Sequence, residues 1–254
     1  QEKVSGVFGN YQVPPQFLDE VFGKSGEVKP AYELIYEQFL KYSTADFRSL
    51  NEHAKMAFLN QGITFSVYTD KAKGVERIFP FDLFPRIIPA AEWARLEEGI
   101  LQRCVAMNLF IEDIYNQQHI LRDKVVPAEL VYSSKNYNKA MLGFKPVGNI
   151  YNHISGTDLI KHSDGQYYVL EDNLRCPSGI SYVLSNRVAM KRTLFPLFRK
   201  FNVSTVAQYP QELQATMQSV PPDGVDNPTC VVLTPGVFNS AYFEHAFLSH
   251  TMGI

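Results

Sequence analysis

The sequence predicts a mixed α/β protein with a helical N-terminal part. Three observations point there. Apolar residues recur three or four apart from Ala90 to His119, the period of one long helix. An Asp164-Gly165 turn joins two extended runs, GTDLI and YYVLEDN, the signature of a β-hairpin. Near the C-terminal end an apolar run, CVVLTP, meets Gly236 and then an amphipathic helical pattern, which reads as a strand followed by a helix.

The elements follow in order. Residues 1–30 are rich in Gly, Pro and charge and predict a loose arm. KPAYELIYEQFLKYST carries apolar residues at helical spacing, and FRSLNEHAKMAFLNQG predicts a second helix closed by Gly62. ITFSVY predicts a strand, whereas RIFPFDLFPRIIP contains three prolines and cannot be one regular element. In the long helix Trp93, Leu96, Ile100, Cys104, Met107, Ile111 and Ile114 form a single stripe expected to be buried, with Cys104 an inert core thiol. A mixed segment follows to Ile150, then the hairpin and a helix across ISYVLSNRVAMKRTLF. The expected organisation is an arm with helices over 1–60, a main body over 61–219, a linker at 220–228 and the start of an α/β domain over 229–254. A βα unit without a returning strand leaves an apolar face uncovered, so the chain is expected to be part of a longer protein that supplies the rest of the fold.

Composition narrows the function classes. The 254 residues are 45% hydrophobic and 20% charged, with 18 Phe and 14 Tyr for a core. A net charge of -2 gives no general attraction to nucleic acid or anionic membrane. No apolar stretch is long enough to span a bilayer. Cys104, Cys176 and Cys230 are far apart and form no CxxC pair, which fits a reducing, cytoplasmic setting. P-loop and GxGxxG signatures are both missing.

The hairpin carries the chemistry. A two- or four-residue loop centred on Asp164-Gly165 sets Asp158 opposite Glu171, Leu159 opposite Leu170 and Lys161 opposite Tyr168. Asn173 lies two residues beyond Glu171, on the same face. Like charges directly opposite each other are destabilising, and a hard divalent cation removes the penalty. Two carboxylates and an amide oxygen suit Mg²⁺, which completes its shell with water and phosphate. Asp158, Glu171 and Asn173 are therefore the candidate metal ligands. Leu159 and Leu170 are expected to anchor the opposite face. Three plainer readings stay open: neutralisation by Lys161 or Arg175, a proton shared by the two acids, or a three-residue loop with a glycine bulge that shifts the register and separates Asp158 from Glu171.

Pro177-Ser178-Gly179 reads as a turn, with Ser178 capping the next helix. The N–H groups of that helix start, around Ser178, Gly179 and Ser181, are a candidate site for a phosphate or a substrate carboxylate, with Arg175 as a second anion contact. Plain helix capping accounts for the same residues. Cys176, with His153 or His162 as base, is an alternative nucleophile without a supporting local pattern. Asn239 and Ser240, with His245, fall near the carboxyl end of the expected last strand, where open α/β sheets bind ligands.

GTDLI, VLEDNLRCPSGISYVLSNR and LTPGVFNSAYFEH resemble the circularly permuted type 2 ATP-grasp family, which is similar to the synthetase half of glutathionylspermidine synthetase. FPFDLFPRIIPAAEW and LQRCVAMNLFIEDIY extend the resemblance, which runs from about Asn60 to the last residue. It implies an ATP-grasp fold of the glutathione synthetase type. It also implies a ligase that uses ATP and Mg²⁺ to activate a small-molecule or peptide carboxylate as an acyl phosphate for attack by an amine or thiol. In the related synthetase an Asp, a Glu and an Asn bind magnesium, the last two as E-x-N, and Asp158, Glu171 and Asn173 match. The resemblance further implies nucleotide contacts at Asn239 and Ser240; a catalytic, nucleotide-facing role for Arg175, steadying the transferring phosphoryl group by charge, is an expectation that matches no position of the family pattern. Two departures stand out. The family's nucleotide-clamping segments have no counterpart here, and the arginine that precedes the metal-binding Asp by two residues is replaced by Gly156. A non-catalytic ATP-grasp-like module is the alternative reading.

Overall fold

The computed structural model describes residues 6–67, 75–78 and 80–254, so Tyr68 and Phe79 of the expected segments lie outside the described residues. Its helices and strands are α1 (Glu33–Phe39), α2 (Thr44–Asn60), β1 (Thr64–Val67), β2 (Val75–Ile78), α3 (Ala90–Tyr115), α4 (His119–Arg122), α5 (Ala128–Tyr132), β3 (Gly156–Lys161), β4 (Tyr167–Asn173), α6 (Ile180–Thr193), α7 (Phe195–Lys200), α8 (Tyr209–Gln218) and α9 (Tyr242–Met252). Two separate antiparallel pairs, β1–β2 and β3–β4, are the sheets among the described residues. The chain packs as two compact units: Gln1–Ile88, Ser163–Gly165 and Ser178–Ile254 form the first, and Pro89–His162 with Gln166–Pro177 form the second.

In the first unit the expected helices form, and a cap fixes the start of α2. Ser43 and Asp46 close a reciprocal capping box, so α2 begins at Thr44, three residues ahead of the periodicity-based start. Gly62 follows its end with φ +63°, a conformation that glycine adopts at little cost. The core gathers Tyr32, Ile35 and Phe39, together with Ala54, Leu83, Leu194 and Leu197. A smaller cluster joins Phe58, Ile63 and Ala189. The expected loose arm is corrected for residues 6–30: Val7, Phe8, Val21 and Val28 pack on that core, and Phe8 meets Tyr36 with ring centroids 5.0 Å apart. The arm has apolar residues to bury, and its Gly and Pro content only sets where it turns. Asp19 organises one of those turns by accepting hydrogen bonds from the N–H groups of Val21 and Phe22, both at 2.8 Å.

CVVLTP corrects a second expectation. Residues 229–235 are irregular and pair with no strand among the described residues. Val231 and Leu233 are 70% and 93% exposed. An apolar, β-branched run becomes a strand only through a partner's hydrogen bonds.

In the second unit α3 ends at Tyr115 rather than His119. Its expected buried stripe is only partly realised. Ile114 is buried and joins Leu121 and Val131 in a small cluster, while Trp93 is 48% exposed. Cys104 is half-buried, with its thiol 3.1 Å from the Ser155 hydroxyl. No described helix is long and apolar enough to cross a membrane.

Phe39 is 1% exposed at the centre of the larger core. Phe39→Ala is expected to cost about 3–5 kcal/mol of unfolding free energy, through lost transfer energy and a residual cavity. Leu233→Ala is expected to change it by less than about 0.5 kcal/mol, as at other exposed positions. Urea denaturation monitored by circular dichroism measures both, and equal costs would contradict this placement of the core.

Candidate functional site

The β3–β4 hairpin sets Asp158 directly opposite Glu171, with Thr157 opposite Asp172 and Gly156 opposite Asn173. The route to that register differs from the expected one. Lys161 faces Tyr167, and the His162 N–H donates to the Gln166 carbonyl at 2.9 Å, which leaves a three-residue loop at 163–165. Gly165 takes φ +81° there, the glycine conformation that such loops require. This is the loop that would have separated the two acids. A bulge between the pairs Asp158–Glu171 and Leu159–Val169 inserts Leu170 as an extra residue in β4 and restores the register. Leu170 is consequently unpaired and 67% exposed, so it does not anchor the hairpin as expected.

The bulge sorts charge between two faces. Asp158, Glu171 and Asn173 lie on the exposed face, whereas Thr157, Leu159, Lys161, Tyr167, Val169 and Asp172 are half-buried on the other. On that inner face Lys161 Nζ contacts Glu92 of α3 at 2.7 Å, and the Tyr167 hydroxyl donates to the same carboxylate. Arg103 of α3 is paired with Asp172, whose Oδ1 also accepts from the Thr157 hydroxyl at 2.9 Å. The Arg103 hydrogen bond, opposed by burial and aided by Thr157, holds the Asp172 carboxyl below the usual carboxylate range. Burial pushes the Glu92 carboxyl up, but the hydrogen bonds from Lys161 and Tyr167 and the Lys161 charge outweigh it and bring it below its ordinary value.

Lys161 is thus spent on Glu92 and does not neutralise the exposed acids. Among the described residues, no ion pair reaches Asp158, Glu171 or Arg175. Asn173 Nδ2 donates to Glu171 Oε1 at 3.1 Å, which leaves the amide oxygen of Asn173 available. Two opposed carboxylates and one amide oxygen on an open strand face are a donor set that fits a hard divalent cation. No group of three or more His, Cys, Asp and Glu side chains gathers as a cation cage among the described residues. A Cβ added at Gly156 would lie 2.8 Å from the Pro177 Cβ, so a side chain fits at this position only if Pro177 shifts. That accounts sterically for the glycine found where the related synthetase has arginine. Cys176 is exposed.

The other expected site residues belong to the first unit. Ser178 does not cap α6. The cap position is Gly179, with φ +106° and no side-chain cap hydrogen bond. Two of the N–H groups expected to be free for an anion, those of Gly179 and Ser181, are taken by a carboxylate of this chain. Gly179 N–H donates to Glu244 Oε1 and Oε2 at 2.9 and 2.7 Å, and Ser181 N–H donates to Oε2 at 3.1 Å. Glu244 is 5% exposed and Ser181 0%. No local pattern signals this partner, because Glu244 comes 65 residues after Gly179. Asn239 Oδ1 accepts from the Ala241 N–H at 2.9 Å in the turn before α9, and Ser240 lies in the same turn. His245 Nδ1 is 2.8 Å from the Thr234 hydroxyl.

Residues 85–254 match the family model of circularly permuted ATP-grasp type 2 proteins. An uncharacterized protein of Synechocystis is 45% identical over 241 residues, covering 95% of this chain and 50% of the relative. An uncharacterized protein of Mycobacterium tuberculosis is 41% identical over 253 residues, covering 100% of this chain and 45% of the relative. A Frankia alni protein with the provisional name glutamate–cysteine ligase 2-3 is 35% identical over 245 residues, covering 94% of this chain and 28% of the relative. The chain therefore spans about half the length, or less, of these curated relatives.

The Glu92 contacts make the inner-face packing sensitive to acid. Its folded-state carboxyl is lowered, so its contribution is present above the unfolded pKa and is lost as pH falls through the folded value. Stability measured by denaturation from pH 7 to pH 3 should fall less steeply in Glu92→Gln than in the wild type. Parallel profiles would show that Glu92 is not titrating against Lys161 and Tyr167.

Proposed function

The chain belongs to the circularly permuted ATP-grasp type 2 family, and from that premise we propose that it is the metal-binding part of an ATP-dependent ligase of glutathionylspermidine synthetase-like type. The observation that carries the reading is the exposed pair Asp158–Glu171, directly opposed and unpaired by any cation among the described residues, with Asn173 beside it. In this reading Asp158, Glu171 and Asn173 hold Mg²⁺ against the phosphates of ATP. Bound there, the ion supplies charge neutralisation to the phosphoryl group being transferred.

The reaction joins a small-molecule or peptide carboxylate to an amine or thiol. A carboxylate oxygen attacks the γ-phosphorus, the bond to the bridging oxygen breaks, and ADP leaves with that electron pair. The amine or thiol then attacks the acyl carbon, loses a proton, and phosphate departs. Arg175, two residues beyond Asn173, is proposed to offset the negative charge of the transferring group. Nucleotide contacts at Asn239 and Ser240 rest on the family resemblance alone. The glutamate–cysteine ligase name of the Frankia relative is compatible with an amide-forming reaction on an amino-acid carboxylate. For Gly179 and Ser181 a substrate role, proposed together with Ser178, requires that Glu244 give up their N–H groups.

Calorimetric titration of the complete natural protein with Mn²⁺ and a nonhydrolysable ATP analogue tests the reading. Wild type is expected to bind the complex, and Glu171→Ala is expected to lose the metal-dependent part of the affinity while keeping its thermal unfolding temperature. Equal binding by both would remove the hairpin from the site.

A further inference from the structure

The second unit contains another concave site, a cleft of about 620 Å³ whose lining includes Lys135, Asn136, Asn138, Asn152 and Arg175. Its two charged side chains are both cations, and no acid lines it. Neither cation has an ion-pair partner among the described residues. Elsewhere in the unit, Arg103 and Lys161 are matched to Asp172 and Glu92. Isolated surface cations are ordinary, but two converging on one concavity beside three carboxamides form an arrangement suited to an anion that also carries peptide-like groups.

The walls are held in place. The Asn138 N–H donates to the Tyr115 hydroxyl at 3.1 Å. The Tyr137 ring stacks on Tyr115 with centroids 5.2 Å apart and planes 6° apart. The Asn136 N–H donates to the Ser134 hydroxyl at 3.3 Å. Asn108 Oδ1 accepts from the N–H of Tyr151, the neighbour of Asn152, at 2.7 Å. Rigid walls of this kind lower the ordering cost of binding.

We infer that this cleft binds the carboxylate of an acidic amino acid or short peptide, with Lys135 and Arg175 holding the carboxylate and the Asn136 and Asn152 amides pairing with backbone N–H and C=O groups; the Asn138 amide oxygen already accepts from the Ala140 N–H at 3.1 Å, so Asn138 offers only its amide donors. Carboxamides present donors and an acceptor together, as a peptide backbone does. A phosphate offers mainly acceptors and would leave the Asn136 and Asn152 amide oxygens unmatched. The start of α6 is already occupied by Glu244, which removes the competing place for a substrate carboxylate. The inference deepens the ligase reading and rests on it for the meaning of the ligand, since Arg175 follows Asn173 by two residues.

The test is calorimetric titration of the complete natural protein at low ionic strength, without metal or nucleotide, using the dipeptide Ala-Glu as probe and inorganic phosphate as comparison. The dipeptide is expected to bind wild type, and Lys135→Gln and Arg175→Gln are each expected to weaken it about tenfold or more, the scale of a lost hydrogen bond to a charged group. Asn152→Asp, which adds a negative charge to the cleft, is expected to abolish it. A thermal melt of each variant checks that it is folded. Phosphate binding without dipeptide binding, equal dipeptide affinity in all variants, or no dipeptide binding by folded wild type each overturn the inference. Dipeptide binding that depends on Lys135, in a protein that takes no Mn²⁺–nucleotide, would sink the ligase reading and leave the cleft. Nucleotide binding that depends on Glu171, without dipeptide binding, would do the reverse.

Discussion

The register of one hairpin governs the rest of the site, and a single unpaired residue sets that register. Side chains alternate along a strand, so a slip of one residue sends every group to the opposite face. The three-residue loop at 163–165 imposes one such slip, and the bulge at Leu170 takes it back. Without the bulge, Asp158 would face Leu170 and the two acids would no longer be opposed. With it, the exposed face collects Asp158, Glu171 and Asn173, and the inner face collects Lys161, Tyr167 and Asp172 against α3.

This sorting is what leaves the outer acids without protein counter-charges. Lys161 is the nearest basic residue in β3, and Glu92 holds it on the inner face. Arg103 is held by Asp172 in the same way. The inner ion pairs therefore have a consequence beyond the modest stability of partly exposed salt bridges: they keep basic side chains away from the open face. Two opposed carboxylates left in this state repel each other, and a bound divalent cation is the simplest way to relieve the repulsion. The steric limit at Gly156, set by Pro177, acts in the same direction by excluding a long basic side chain two residues from Asp158.

Glu244 shows the complementary case, in which a site suggested by local sequence is filled by a distant part of the chain. A glycine-led helix start exposes N–H groups that attract an anion. Here the anion is a buried side chain of α9, which ties α9 to the beginning of α6 within the first unit. The same contact explains why Ser178 is left out of the cap: Glu244 already accepts from both the Gly179 and the Ser181 N–H groups.

Local chemistry was enough to place the hairpin and most of α1, α2 and α3, whereas the pairing of Asp158 with Glu171 follows in the sequence from a two- or four-residue loop that does not form, and holds only because the Leu170 bulge cancels the slip. The hairpin and these helices depend on caps, helical periodicity and an Asp-Gly turn, all of which act over a few residues. The mechanism of that pairing was not legible, because a bulge at Leu170 has no glycine or other residue signature to announce it. Tertiary structure alone decided which basic residues reach which acids, since Lys161 and Arg103 find Glu92 and Asp172 at 69 positions' distance. It also decided that CVVLTP forms no strand, because a strand is a property of two segments and no described segment pairs with this one. The cleft around Lys135 and Arg175 belongs to the same class: its residues come from separate stretches of the chain and share no motif, so only folding could bring them to one surface.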